Sequence, residues 1–83
     1  MKVKLTKSAK KDVNQLDKDI KKRIYTKIRL LRQGKIPIIT LKGHKTTGKM
    51  KMDDYRIIYQ IDKKNKIINI TDVILRKDAY KKY

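Results

Sequence analysis

Cysteine, tryptophan, phenylalanine and glutamate are all missing from this 83-residue chain, and histidine and proline occur once each. Without cysteine there is no disulfide framework and no thiolate metal site. A lone His44 cannot assemble a histidine-based metal centre. No run approaches the roughly 18 apolar residues of a membrane span. The N-terminus also lacks the roughly 7–15-residue apolar stretch of a secretory signal. The expectation is a cytoplasmic protein with no membrane association, no metal and no cofactor.

Negative charge is the other scarcity. Eight acidic residues, all aspartate, face 25 lysines and arginines, for a formal charge of +17. Such an excess repels itself in the folded state and calls for a counter-charge. Nucleic acid, an anionic membrane or an acidic protein would each supply one, and RNA is the expected partner. The alternative reading of the lysine and isoleucine excess is codon bias in an A/T-rich genome, with each surface lysine merely solvated. The charge is spread rather than gathered in a tail: residues 1–35 hold 13 basic and 3 acidic side chains, residues 36–83 hold 12 and 5. It belongs to the folded body, and the length allows one domain, residues 1–83.

Periodicity divides the chain at Pro37. Val3 and Leu5 alternate with lysines, as in a short half-buried strand. Thr6 or Ser8 is a plausible helix N-cap, after which Ala9, Val13, Leu16 and Ile20 recur at helical spacing. Asp17-Lys18-Asp19 offers a second cap. Ile20, Ile24, Ile28 and Leu31 carry the stripe onward to a Gly34 stop. Residues 6–33 therefore read as a helical hairpin. Strand patterns follow at Ile38–Leu41, Lys49–Met52, Tyr55–Ile61 and Ile67–Ile74, and residues 76–83 read as a short helix or an arm. Strand, helical hairpin, then a run of antiparallel strands is an α+β domain.

Register converts this pattern into a site. A two-residue turn at Asp53-Asp54 places Lys51 opposite Arg56 and Lys49 opposite Ile58, on one face of the sheet. A turn at Lys64-Asn65 places Arg56 opposite Val73, Ile58 opposite Thr71 and Gln60 opposite Asn69. One face is then wet and basic, carrying Lys49, Lys51, Arg56, Ile58, Gln60, Asn69, Thr71 and Val73. The other carries Met50, Met52, Tyr55, Ile57, Tyr59, Ile61, Ile68, Ile70 and Ile74, with Asp72 as its one discordant member. Like charges directly opposed cost from a few tenths to about 1 kcal/mol, a conflict that sequences tend to retain where function needs it. Arg76, Lys77, Tyr80, Lys81, Lys82 and Tyr83 extend the basic surface. Tyrosines beside cations stack on bases or hydrogen-bond phosphates, whereas Tyr25, Tyr55 and Tyr59 read as core. His44 reads as a solvated loop residue.

Four blocks carry a family likeness: Thr6-Lys7-Ser8-Ala9-Lys10-Lys11-Asp12, Leu41-Lys42-Gly43, Asp54-Tyr55-Arg56-Ile57-Ile58-Tyr59 and Arg76-Lys77-Asp78-Ala79-Tyr80. With them the chain resembles the RelE/ParE superfamily of toxins from toxin–antitoxin pairs over nearly its whole length. The resemblance implies a helical hairpin on a four- to five-stranded antiparallel sheet. For the RelE-like branch it implies cleavage of mRNA in the ribosomal decoding site, with the ribosome, mRNA and a cognate antitoxin as partners. The catalytic set would be Lys49, Lys51, Arg56, Arg76 and Tyr80, and the RNA-binding set Lys42, Lys45, Lys77, Lys81 and Tyr83. Many relatives have histidine where this chain has Leu75. The ParE-like branch poisons DNA gyrase instead and generally lacks the basic set; an inactive RNA-binding relative is the third reading.

Overall fold

The computed structural model describes residues 2–82, with side chains through Ala79. In chain order the elements are β1 (Lys2–Leu5), α1 (Lys7–Asn14), α2 (Lys18–Arg32), β2 (Thr47–Met52), β3 (Tyr55–Asp62), β4 (Ile67–Leu75) and α3 (Arg76–Lys82). Thr6 caps α1, its hydroxyl accepting the Ala9 N–H at 3.2 Å. Asp17 is the N-cap of α2 without a side-chain bond. Gly34 takes φ 74°, the left-handed conformation that ends a helix cheaply only when no Cβ is present.

The four strands lie in the order β1-β4-β3-β2. β2, β3 and β4 form an antiparallel meander, and β1 adds a parallel edge beside β4, so the sheet is mixed. The helical hairpin buries Ala9, Val13, Ile24, Ile28 and Leu31 against Met50, Met52, Ile57, Tyr59, Ile68, Ile70 and Val73. Ile24, Ile57, Ile68 and Ile70 are completely buried. Each such side chain contributes about 1.5–3 kcal/mol relative to exposure. Among the described residues no helix is long and apolar enough to cross a membrane.

Three expectations are corrected. Ile38–Leu41 does not form a strand. It rides beside β2 through one bridge, Thr40 to Gly48, with Leu41 N–H to the Thr47 carbonyl and Lys49 N–H to the Ile39 carbonyl. Tyr25 is 43% exposed on α2 and is not core. The third concerns β4.

The pairing Gln60 with Asn69 holds, but between Ile58 and Tyr59 the register shifts by one. Tyr59 faces Ile70, while Ile58 faces Asp72 and Arg56 faces Ile74, leaving Thr71 as the extra residue of a bulge. The expected pairs Arg56 with Val73 and Ile58 with Thr71 do not form. Past the bulge the two faces exchange: Val73 enters the core, and Asp72 and Ile74 move to the outer face. The discordance of Asp72 disappears with that shift. A bulge also leaves ladder groups to satisfy elsewhere. The Val73 N–H finds Asp12 Oδ2 on α1 at 3.3 Å, and the Thr71 hydroxyl donates toward the Ile58 carbonyl at 3.3 Å.

Candidate active site

The β2–β3 turn is as tight as its sequence demands. Asp53 adopts φ 53°, a left-handed conformation that aspartate tolerates better than most residues. The two-residue connection sets Lys51 opposite Arg56 and Lys49 opposite Ile58. These side chains share the face of the sheet turned away from the helical hairpin.

That face is less open than its composition suggests. Arg56 is 8% exposed and Ile58 1% exposed. The Arg56 guanidinium folds back on the turn, where Nη1 donates to the carbonyls of Tyr55 at 2.8 Å and Asp53 at 3.3 Å. Those two bonds use one nitrogen and leave the rest of the planar fork for other acceptors. The same turn fixes the start of α3, since the Arg76 N–H donates to the Asp54 carbonyl at 2.7 Å. Arg23 on α2 ties the turn to the helical layer through a 2.7 Å ion pair with Asp53.

Lys49, Lys51, Arg56 and Arg76 come together as the lining of one cleft of about 130 Å³. Among the described residues Leu41, Ile58 and Ala79 also line it. Lys49 is half-buried, and Lys51 and Arg76 are exposed. Four cations around a small hollow with an apolar floor give it a concentrated positive charge.

The remaining predicted residues lie elsewhere. Lys42 and Lys45 are exposed in the segment before β2, outside the cleft lining. Lys77 borders a separate hollow with Asp54, Leu75 and Arg76. The side chains of Tyr80 and Lys81, and Tyr83 altogether, fall outside the described residues. His44 is exposed in its loop. Sequence reasoning missed the apolar walls Leu41 and Ala79, which join the site only through tertiary packing. It also missed Asp72, which the bulge brings to this face half-buried, 3.2 Å from the Thr71 hydroxyl.

The family model for the ParE toxin of the type II toxin–antitoxin system parDE matches residues 3–80. The chain belongs to the RelE/ParE toxin family. Solved structures agree on the fold. RelE of the archaeal RelE–RelB complex from Pyrococcus horikoshii is 27% identical, at a TM-score of 0.74 over 90% of this chain and 93% of that one. The RelB–RelE complex of Methanococcus jannaschii gives 23% identity and a TM-score of 0.76 over 95% and 96%. The isolated E. coli RelE toxin gives 19% and 0.74 over 98% and 96%. The comparison with curated protein sequences finds no match. This chain is thus the toxin of a type II toxin–antitoxin system.

Proposed function

We propose that this RelE/ParE-family toxin is an endoribonuclease that cuts mRNA in the decoding site of the ribosome. The observation that carries this reading is the convergence of Lys49, Lys51, Arg56 and Arg76 on one cleft. A gyrase poison acting by protein contact has no need of four cations around a hollow sized for a small anion.

In the proposed reaction a ribose 2′-oxygen attacks the adjacent phosphorus and loses its proton. The bond from phosphorus to the 5′-oxygen breaks, and that oxygen gains a proton. The products are a 2′,3′-cyclic phosphate and a free 5′-hydroxyl, with no water consumed. Arg56 is held by the turn and supplies preorganised positive charge where the phosphorane gains negative charge. Arg76, the first residue of α3, lines the same cleft and is proposed to share that role. Lys49 and Lys51 are proposed to exchange protons with the 2′- and 5′-oxygens. Tyr80, one helical turn beyond Arg76, is proposed as the base-stacking or proton-donating member. Lys42, Lys45, Lys77, Lys81 and Tyr83 are proposed to hold the surrounding RNA.

A cognate antitoxin is the proposed protein partner. A groove between α2 and β2 has Leu30 and Met52 in its lining and Lys22, Lys27 and Lys51 among them. An acidic, amphipathic segment fits that combination of apolar floor and cationic rim. Lys51 belongs to both groove and cleft, so a segment lying there covers part of the proposed site.

Primer extension on ribosome-bound mRNA tests the function. New stops are expected with the wild-type protein and not with Arg56→Ala or Arg76→Ala. The family model's parDE description favours gyrase as the second reading. Under it, purified toxin traps cleaved DNA on gyrase and leaves ribosomal mRNA intact, and that outcome would replace the ribonuclease.

A further inference from the structure

The outer face of the sheet continues past the cleft, and what it carries there is not lysine. One row crosses all four strands: Thr47 on β2 faces Gln60 on β3, Gln60 faces Asn69 on β4, and Asn69 faces Lys4 on β1. The neighbouring row is Lys49, Ile58 and Asp72, which borders the cleft. Two residues along β2 or β3 separate the rows, about 7 Å, and three along β4, where the bulge intervenes.

The chain has six amide side chains, and four lie at helix ends or in a turn. Asn14, Gln15 and Gln33 sit at helix C-termini, and Asn65 sits in the β3–β4 turn bonded to Asp62. Only Gln60 and Asn69 lie within strands, and they are directly opposed on the outward face. In a protein that covers its surface with lysine, a pair of neutral amides at the border of a cationic cleft needs its own explanation.

Gln60 is exposed yet held: its Nε2 donates to the Thr47 hydroxyl at 2.9 Å. Its carbonyl oxygen and second N–H remain to face outward. Asn69 is half-buried between Gln60 and Lys4, with both an acceptor and donors of its own. Amides of this kind read the edges of unstacked bases through paired donor and acceptor contacts, which a lysine cannot do. An open sheet face is also a surface on which single-stranded RNA is commonly displayed.

We infer that Gln60 and Asn69 form a base-reading subsite for a nucleotide flanking the scissile phosphate, with Thr47 orienting Gln60 and Lys4 contacting the backbone. The inference rests on the proposed ribonuclease activity for its biological meaning, but the subsite itself is a statement about single-stranded RNA binding. It makes Gln60 and Asn69 specificity determinants rather than catalytic residues.

The test uses labelled single-stranded RNAs with 2′-O-methyl riboses, which cannot be cut, differing at one position through all four bases. Fluorescence anisotropy with the wild-type toxin is expected to rank the bases over roughly a five- to hundredfold range. Gln60→Ala with Asn69→Ala should collapse that range toward unity, while Arg56→Ala weakens all four RNAs alike. Both substitutions face outward, so an unchanged melting temperature identifies the loss as local; Gln60→Met, which keeps the side-chain length, provides a second variant. Wild-type binding without base preference, no binding at all, or preference that survives the double substitution each overturns the inference. On ribosomes the double variant should still cut, at a redistributed set of sites. Cutting absent from the wild type, with base ranking intact on the oligonucleotides, would reject the ribonuclease and leave the subsite standing.

Discussion

The Tyr59 ring lies across β2 over Gly48, and it reaches the far side only because Gly48 has no side chain. A Cβ at residue 48 would overlap the ring and come within 2.7 Å of the Ile39 carbonyl oxygen. The ring is completely buried, and its hydroxyl bonds the Ile39 backbone twice, accepting from N–H at 3.1 Å and donating to C=O at 3.3 Å. One tyrosine thus locks the 36–46 connection, including the cleft residue Leu41, against the sheet. Gly48→Ala should destabilise by about 1–3 kcal/mol through overpacking, measured by urea denaturation. An unchanged midpoint would show that the ring has somewhere else to go.

The same hydroxyl makes the fold sensitive to alkali. Burial pushes the Tyr59 phenol above its usual 10.0, against a smaller opposing effect of the Ile39 bond. A raised folded value means that the unfolded chain gives up its proton first. The contribution to stability is therefore complete below pH 10.0 and is lost as pH rises from there through the folded value. Tyr59→Phe should remove this alkaline loss while costing about 0.5–1.5 kcal/mol at neutral pH from the missing hydrogen bonds. Denaturant midpoints followed from pH 7 upward in both proteins check the crossing of the two curves.

Lys51 faces Arg56 directly across the β2–β3 ladder. Like charges so placed are destabilising by up to about 1 kcal/mol, and nothing in the fold requires a cation at residue 51, which is exposed. Lys51→Thr should therefore leave stability unchanged or raise it by a few tenths of a kcal/mol, Thr being well suited to a strand. Cleavage of ribosome-bound mRNA should fall by about 10²-fold or more if Lys51 exchanges a proton in the reaction. Equal activity at equal stability would remove Lys51 from the mechanism.

How far the site could be read from sequence depended on the distance over which each part is specified. The Asp53-Asp54 turn is local, two residues fix its register, and Lys49, Lys51 and Arg56 followed from it without tertiary information. The bulge at Thr71 is not local. It is accommodated by Asp12, 61 residues away, which takes the Val73 N–H that a regular ladder would have used. No periodicity in Ile67–Leu75 announces that, although an aspartate on an otherwise apolar face was its visible trace. Ile38–Leu41 misled because β-branched content is a weak guide where Pro37 and a single bridge limit pairing. The pattern puts Arg56 on the right face, but its burial and its bonds to the Asp53 and Tyr55 carbonyls belong to the folded turn, which pattern alone does not contain.

Asp53 links the helical layer to the site through a single turn. Its carboxylate holds Arg23 at 2.7 Å, its carbonyl accepts from Arg56, and the next residue's carbonyl holds the Arg76 N–H. Both members of the ion pair are well exposed, at 66% and 59%, so the pair itself adds at most about 1 kcal/mol. Asp53→Gly keeps the left-handed backbone without strain and deletes only the carboxylate. It should shift the unfolding midpoint little. If the pair positions the turn, the turnover of ribosome-bound mRNA should drop several-fold with little change in apparent affinity, because Arg56 and Arg76 remain present but less well held. Arg23→Ala should reproduce the effect, and combining the two changes should add nothing. Additive losses, or full activity in either single variant, would show that the backbone of the turn alone sets the two arginines in place.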